Sequence, residues 1–292
     1  MIEAFVNDTL RNATPIVLAA CGGLVTRLSG WLNIGLEGMI LLSAFSGVVV
    51  SSATSSVVAG TLAAIATSIA VSLLIFVMVR YMRANLYITG LATNLFSSGL
   101  TVMLTDLWFR SRGTVVFPAA PRPAVSSLDF LGFLNNLNFF DYLAIASPLL
   151  LLFVLRGTSF GLKLRACGIE EESAYYSGVH VNRVRLVSFI VAGVFSGLAG
   201  ASLSLPLGLF VANMSGGRGW IALVAVIMGR DRPFLVGFSA LMLGFVTELS
   251  IFLQVSTQIS PKLLLTIPYF VSFLIVAIFP DRRAMVEGKK TE

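Results

Sequence analysis

GTSFGLKLRACGIEEESAYYSGVHVNR, residues Gly157–Arg183, is a long polar interruption in a very apolar chain. Before it runs FFDYLAIASPLLLLFVLR (residues 139–156), and after it VRLVSFIVAGVFSGLAGASLSLP (residues 184–206). Runs of this length approach the roughly 20 apolar residues that cross a bilayer core of about 30 Å as a helix. The alternation of such runs with short charged breaks therefore decides the fold: an all-α, polytopic transmembrane bundle. A polar loop this long, rich in glycine and small residues with a short apolar repeat, reads as a docking element for a soluble cytoplasmic partner.

Composition agrees with that class. Apolar residues make up 57% of 292 and charged residues 12%, with a mean hydropathy of +0.91. A soluble domain of this size carries about a quarter of its residues as charged surface, and here that surface is missing. Apolar runs set against charged breaks give spans at about 13–28, 36–53, 56–79, 86–105, 139–156, 184–206, 218–229, 234–254 and 263–280. The seventh is too short to span comfortably and starts at the glycine-rich Ser215–Trp220 (SGGRGW), which points to a half-helix or re-entrant segment. Such a break is tolerated only where backbone is buried or lines a cavity. The expected count is eight to ten spans within a single domain, residues 1–292.

Nine spans with the N-terminus outside place Arg27, Arg80, Arg83, Arg156, Lys163, Arg165, Arg183, Arg185, Arg230, Arg232, Arg282, Arg283, Lys289 and Lys290 on one side. Arg11, Arg110, Arg112, Arg122, Arg218 and Lys262 fall on the other. The positive-inside rule makes the larger set cytoplasmic, along with the polar loop 157–183 and the C-terminus. The net charge of +6 is then topological, and basic residues scattered over several loops argue against a nucleic-acid partner. The connection 106–138, with Pro118, Pro121 and Pro123, is the long external loop, read either as a partner surface or as a proline-stiffened linker. Cys21 lies in the first span and Cys167 in the cytoplasmic loop, so no disulfide is expected. The start of the chain reads as a retained first span, because the segment before Cys21 is too short and polar for a signal-peptide core.

Nothing in the sequence is arranged for catalysis. Histidine occurs once, at His180, no His, Cys or carboxylate group has metal-ligand spacing, and neither a phosphate-cradling GxxxxGK[ST] loop nor a GxSxG elbow is present. The expectation is a transport protein without its own nucleotide site, metal or cofactor. Polar groups do occur within the spans. Asn33 and Glu37 share a helical face, Asn94, Ser98, Thr101 and Thr105 form one stripe, and Thr247, Ser250 and Gln254 form another beside Glu248. A charge at mid-bilayer costs about 3 kcal/mol on insertion scales, so Glu37 and Glu248 should face protein or a water-filled cavity. Asn33, Glu37, Asn94 and Glu248 are the candidate lining of a solute path. The competing reading is that such groups hold helices together. Gly193, Gly197 and Gly200 give the sixth span a small face for close packing.

Four blocks carry a resemblance. SGWLNIGLEGM (Ser29–Met39) is similar to the SGvlNIGLEGM signature of the second permease in nucleoside-type ABC importers, within the branched-chain amino acid, ribose and simple-sugar permease superfamily. ITGLATNLFSSGLT (Ile88–Thr101), FGLKLRACG with YYSGVHVNRVRLVSFIVAGVFSGLAGA, and GRGWIALVAVIMGR (Gly217–Arg230) resemble the further blocks in order, covering nearly the whole chain. The resemblance implies a permease subunit in a bacterial cytoplasmic membrane. It implies a second permease, a cytoplasmic ABC ATPase and an extracytoplasmic binding lipoprotein as partners, with a nucleoside as the solute. A simple sugar or a flavin-like vitamin are the alternatives. It also implies that a short helix in loop 157–183 fits a groove in the ATPase through Gly161, Leu162, Arg165, Ala166 and Gly168. Glu170, Glu171 and Glu172 depart from the family pattern, as does Thr26, which leaves Arg27 to find an acidic partner elsewhere, with Glu37 as the candidate. An ion-coupled carrier working alone, with Glu37 and Glu248 as coupling carboxylates, is the reading from a different class.

Overall fold

The computed structural model describes residues 2–111, 113–117, 120, 123, 125–126, 137–256, 261–264 and 266–278. These residues form a helical bundle. In chain order it comprises α1 (Ile2–Leu28), α2 (Leu36–Thr54), α3 (Val57–Arg80), α4 (Leu86–Phe109), α5 (Phe139–Gly157), α6 (Ser159–Ile169) and α7 (Glu171–Tyr176). Then follow α8 (Val181–Ser204), α9 (Arg218–Met228), α10 (Pro233–Ser256), α11 (Pro261–Leu264) and α12 (Ile267–Ile278). Strands β1 (Thr114–Val116) and β4 (Leu209–Val211) pair antiparallel with Val115 opposite Phe210. Strands β2 (Val125–Ser126) and β3 (Leu137–Asn138) form a second short ladder.

Among the described residues, α2, α3, α4, α5, α8 and α10 are long and apolar enough to cross a membrane. Each of the nine apolar runs has a helix in its place. The first begins far earlier than residue 13: α1 starts at Ile2 and takes Pro15 into its interior. The seventh is the short helix, α9, whose 11 residues rise about 16 Å, half the thickness of a bilayer core. In the connection 106–138, residues 112, 118, 119, 121, 122, 124 and 127–136 lie outside the described residues, as do 279–292, so Pro118, Pro121 and the C-terminal basic residues are not placed.

α1 is the core of the bundle. From Ala13 to Leu28 it is buried throughout, with α5, α8, α9 and α10 packed around it. Its polar groups are satisfied inside: Thr14 Oγ1 donates to Asp141 Oδ1 at 2.7 Å, and Asp141 Oδ2 accepts from the Asn138 amide at 2.8 Å. Burying a carboxylate is tolerable only with such partners. The glycine face of α8 closes on two neighbours. A Cβ on Gly193 would sit 2.7 Å from Ile69 Cα, on Gly197 2.6 Å from Ile65 Cα, both on α3, and on Gly200 2.1 Å from Ser43 Oγ of α2. These three positions are packing positions, and without van der Waals approach of this kind helices gain little from each other in lipid.

Candidate functional site

The sequence SGWLNIGLEGM breaks the chain between α1 and α2, and MSGGRGW breaks it before α9. Both breaks leave helix N-termini whose first amides need partners. Asn33 Oδ1 accepts from the Gly35 amide at 2.9 Å, and Asn94 Oδ1, reaching over from α4, accepts from the Gly38 amide at 2.8 Å while its Nδ2 donates to Ile34 O at 3.0 Å. Gly38 has to be glycine, because a Cβ there would lie 2.6 Å from Ser97 Oγ. Both asparagines are buried. Asn94 turns both its polar atoms to backbone, while Asn33 Nδ2 donates to the Met39 sulfur at 3.3 Å.

Glu37 faces the other way and caps α9. Its Oε1 accepts from the Gly217 amide at 2.8 Å and its Oε2 from the Gly219 amide at 2.6 Å. An anion at a helix N-terminus is favoured by the unpaired amides and by the helix dipole together. Gly217 has φ +78°, and a Cβ on Gly219 would come 2.5 Å from Glu37 Cα, so the GRG sequence is what allows α2 and α9 to meet. Two further elements hold the same turn. Tyr269 of α12 donates its hydroxyl to Gly216 O at 2.6 Å. Arg218 Nη2 donates to Asn12 Oδ1 at 3.4 Å, while Nη1 donates to the carbonyls of Met214 and Ser215. Asn12 Nδ2 in turn donates to Glu248 Oε2 of α10.

The four predicted path residues are thus brought around the two helix breaks. Asn33, Glu37 and Asn94 converge on the first turn of α2, and Glu248 joins through Asn12 and Arg218. The stripe on α4 behaves as helix glue: Thr101 and Thr105 are buried and donate to carbonyls one turn back, while Ser98 reaches Asn213 Oδ1 at 2.6 Å. Asn12, Arg218 and Tyr269 were not legible as members of this centre. Arg218 carried a signal, a charge at the start of an apolar run, but Tyr269 carried none.

The loop end of the bundle has a different character. Thr158 caps α6 by accepting from the Gly161 amide. Gly161 and Gly168 do not present a small outer surface. A Cβ on Gly161 would lie 2.2 Å from Leu155 O and one on Gly168 2.2 Å from Leu28 O, so both glycines seat α6 on the chain's own helices. Leu164 and Cys167 are buried beside them, and burial pushes the Cys167 thiol above its ordinary range. Ala166 packs against the same core. Leu162 is the apolar side chain of the block that stands out, 65% exposed, and Ile169, Tyr175 and Tyr176 are exposed with it. Arg165 is half-buried.

The acidic run 170–172 also has a use. Arg185 at the start of α8 makes a bidentate pair with Glu171, at 2.9 and 2.8 Å, stacks its guanidinium 4.6 Å from the Trp31 ring centre and donates to Ser29 O. Glu171 therefore ties α7 to α8 and to the link after α1. Beside this pair opens a groove of about 1480 Å³, walled by Trp31, Arg80, Arg83, Tyr175, Tyr176 and His180. The expected Arg27–Glu37 pairing does not form. Arg27 Nε donates to Asp231 Oδ1 at 2.9 Å, because Glu37 is turned into α9 and the α9–α10 turn returns to the end of α1.

The sequence matches known transport components. The sequence pattern of the family described as "Branched-chain amino acid transport system / permease component" covers residues 5–279. A Haloferax volcanii chain named "Putative glucose ABC transporter permease protein" is 30% identical, over 93% of this chain and 90% of its own length. The guanosine ABC transporter permease protein NupQ of Bacillus subtilis is 29% identical over 97% and 93%, and the nucleoside ABC transporter permease protein NupC of Lactococcus lactis is 27% identical over 95% and 92%. With its multi-pass helices and near full-length match, the chain belongs to this family of membrane-embedded permease components.

Proposed function

We propose that this chain is the transmembrane permease subunit of an ATP-driven nucleoside importer in a bacterial cytoplasmic membrane, forming half of the translocation path. The observation that carries the solute class is the match over more than nine-tenths of both chains to relatives named for guanosine and for nucleosides. The guanosine permease NupP of Bacillus subtilis also matches, at 23% identity, alongside NupQ, which supports a second, different permease as partner. The remaining partners are a cytoplasmic ABC ATPase and an extracytoplasmic binding lipoprotein.

In this reading the ATPase meets α6 and α7. Leu162, Ile169 and the tyrosine pair supply the apolar contact, Arg165 pairs with acidic groups, and Gly161, Ala166 and Gly168 act from behind by seating α6 rigidly. Movement of α6 passes to α1 through Gly168 and Leu28, and movement of α7 to α8 through Glu171 and Arg185. Asn33, Glu37, Asn94 and Glu248 frame the path by fixing its broken helices. The solute is held weakly in the membrane, because capture belongs to the lipoprotein and the path must release its load. A simple sugar is the second reading, favoured by the Haloferax volcanii relative. Uptake of radiolabelled guanosine in cells carrying or lacking the gene tests the assignment. Loss of guanosine uptake on deletion, restored by the gene in trans and unaffected by excess glucose, is the expected result, and unchanged guanosine uptake with lost glucose uptake overturns it.

A further inference from the structure

Ser98 is the thirteenth residue of the 24-residue α4, so about 18 Å of helix precede it and about 16 Å follow. It sits at the middle of a helix long and apolar enough to cross a membrane. From its hydroxyl a continuous polar line crosses to α12: Ser98 Oγ donates to Asn213 Oδ1 at 2.6 Å, the Gly216 amide donates to Asn213 O at 3.0 Å, and Tyr269 donates to Gly216 O. Asn213 and Gly216 are exposed, and Tyr269 is 45% exposed. The Asn213 amide Nδ2 has no partner among the described residues. Beside them on the first turn of α9, Trp220 is 38% exposed.

Exposed amide and backbone groups at this depth cannot face hydrocarbon, where nothing satisfies them. The apolar helix faces solve that problem with side chains such as Leu150 and Phe153 of α5. The Asn213 turn does not, although α2, α4 and α12 fix it and the start of α9 in place through Glu37, Ser98 and Tyr269. Asn213 itself holds φ +57°, a left-handed conformation that asparagine adopts more readily than most residues. The groups it presents are a free amide donor and two half-exposed aromatic faces. Ribose hydroxyls accept from an amide, and a purine or pyrimidine stacks on an aromatic ring.

We infer that the solute crosses the membrane over the face made by Ser98, Asn213, Trp220 and Tyr269, with Asn213 contacting the sugar and the aromatic pair contacting the base. This inference rests on the nucleoside reading above for the ligand's identity, though not for the position of the path. Asn33 and Asn94 then act behind the path, as the caps that set its wall, and the second permease closes the opposite side.

Substituted-cysteine labelling in the assembled importer tests it, since Cys21 and Cys167 are both buried. Asn213→Cys and Leu150→Cys are each introduced in the otherwise intact protein and exposed to a charged, water-borne thiol reagent in transport-active vesicles holding the partner subunits. The expected result is modification at Asn213→Cys with loss of uptake, slowed several-fold by guanosine with its binding protein, and no modification at Leu150→Cys. Protection by glucose and not by guanosine keeps the path here and overturns the nucleoside reading. An unmodified Asn213→Cys in an importer that still transports places this face against lipid or protein and overturns the inference, as does modification that no solute slows. Ser98→Cys, scored the same way, keeps the test decisive where the Asn213 variant fails to fold.

Discussion

Glu37 engages two backbone amides of another helix with its two carboxylate oxygens, an arrangement that replaces a coupling role with a fastening one. Hydrogen bonds to a charged group contribute about 1.5–3 kcal/mol each. Glu37→Gln keeps the shape but turns one acceptor into a donor facing an amide, so the purified permease should lose about 2 kcal/mol of stability, read as a lower midpoint in thermal unfolding. A midpoint equal to the parent's would mean that the α9 amides find water instead. At this scale the sequence showed which residues were polar and out of place, Asn33, Glu37, Asn94 and Glu248. It did not show their partners, since Gly217, Gly38 and Asn12 lie 180, 56 and 236 residues from Glu37, Asn94 and Glu248.

At the scale of elements, α6 and α7 are fixed from inside and open outside. Two substitutions on α6 should therefore fail in different ways. Gly168→Val forces a side chain into Leu28 O and should displace α6, lowering both uptake and the heat stability of the permease. Leu162→Asp changes an exposed side chain only. It should leave stability unchanged while reducing the amount of ATPase that copurifies by roughly tenfold, since an apolar anchor is worth about 1–2 kcal/mol at an interface. Equal ATPase recovery with Leu162→Asp would remove the docking role from that face. Glu171→Ala should free α7 from Arg185, seen as faster tryptic cleavage at Arg183 in intact vesicles opened to the loop side. An unaltered cleavage rate would show that the buried Ala174 alone holds α7. A short apolar repeat was readable in the loop and the resemblance implied a helix there, but which side of it faced inward was not legible, because glycine and alanine suit an inner contact and an outer one equally.

Across the whole molecule, stability depends on a few close helix approaches around α1. Gly200→Leu places a large side chain where Ser43 Oγ and Ile40 O already sit, and should prevent accumulation of folded permease in the membrane, measured by size-exclusion profile in mild detergent. A monodisperse peak at parental yield would show that α2 and α8 can separate without loss of the fold. The sequence by itself determined the class, the order of the apolar helices and the break before α9, though not the early start of α1, because apolar length, charge placement and glycine clusters are local properties that a bilayer reads directly. Tertiary structure decided the rest. It placed Glu37 on α9 and not on Arg27, gave Arg27 to Asp231, turned the loop glycines inward and brought Ser98, Asn213 and Tyr269 into one exposed line. Such pairings depend on which helices pack side by side, and nothing in the spacing of residues along one helix specifies its neighbour.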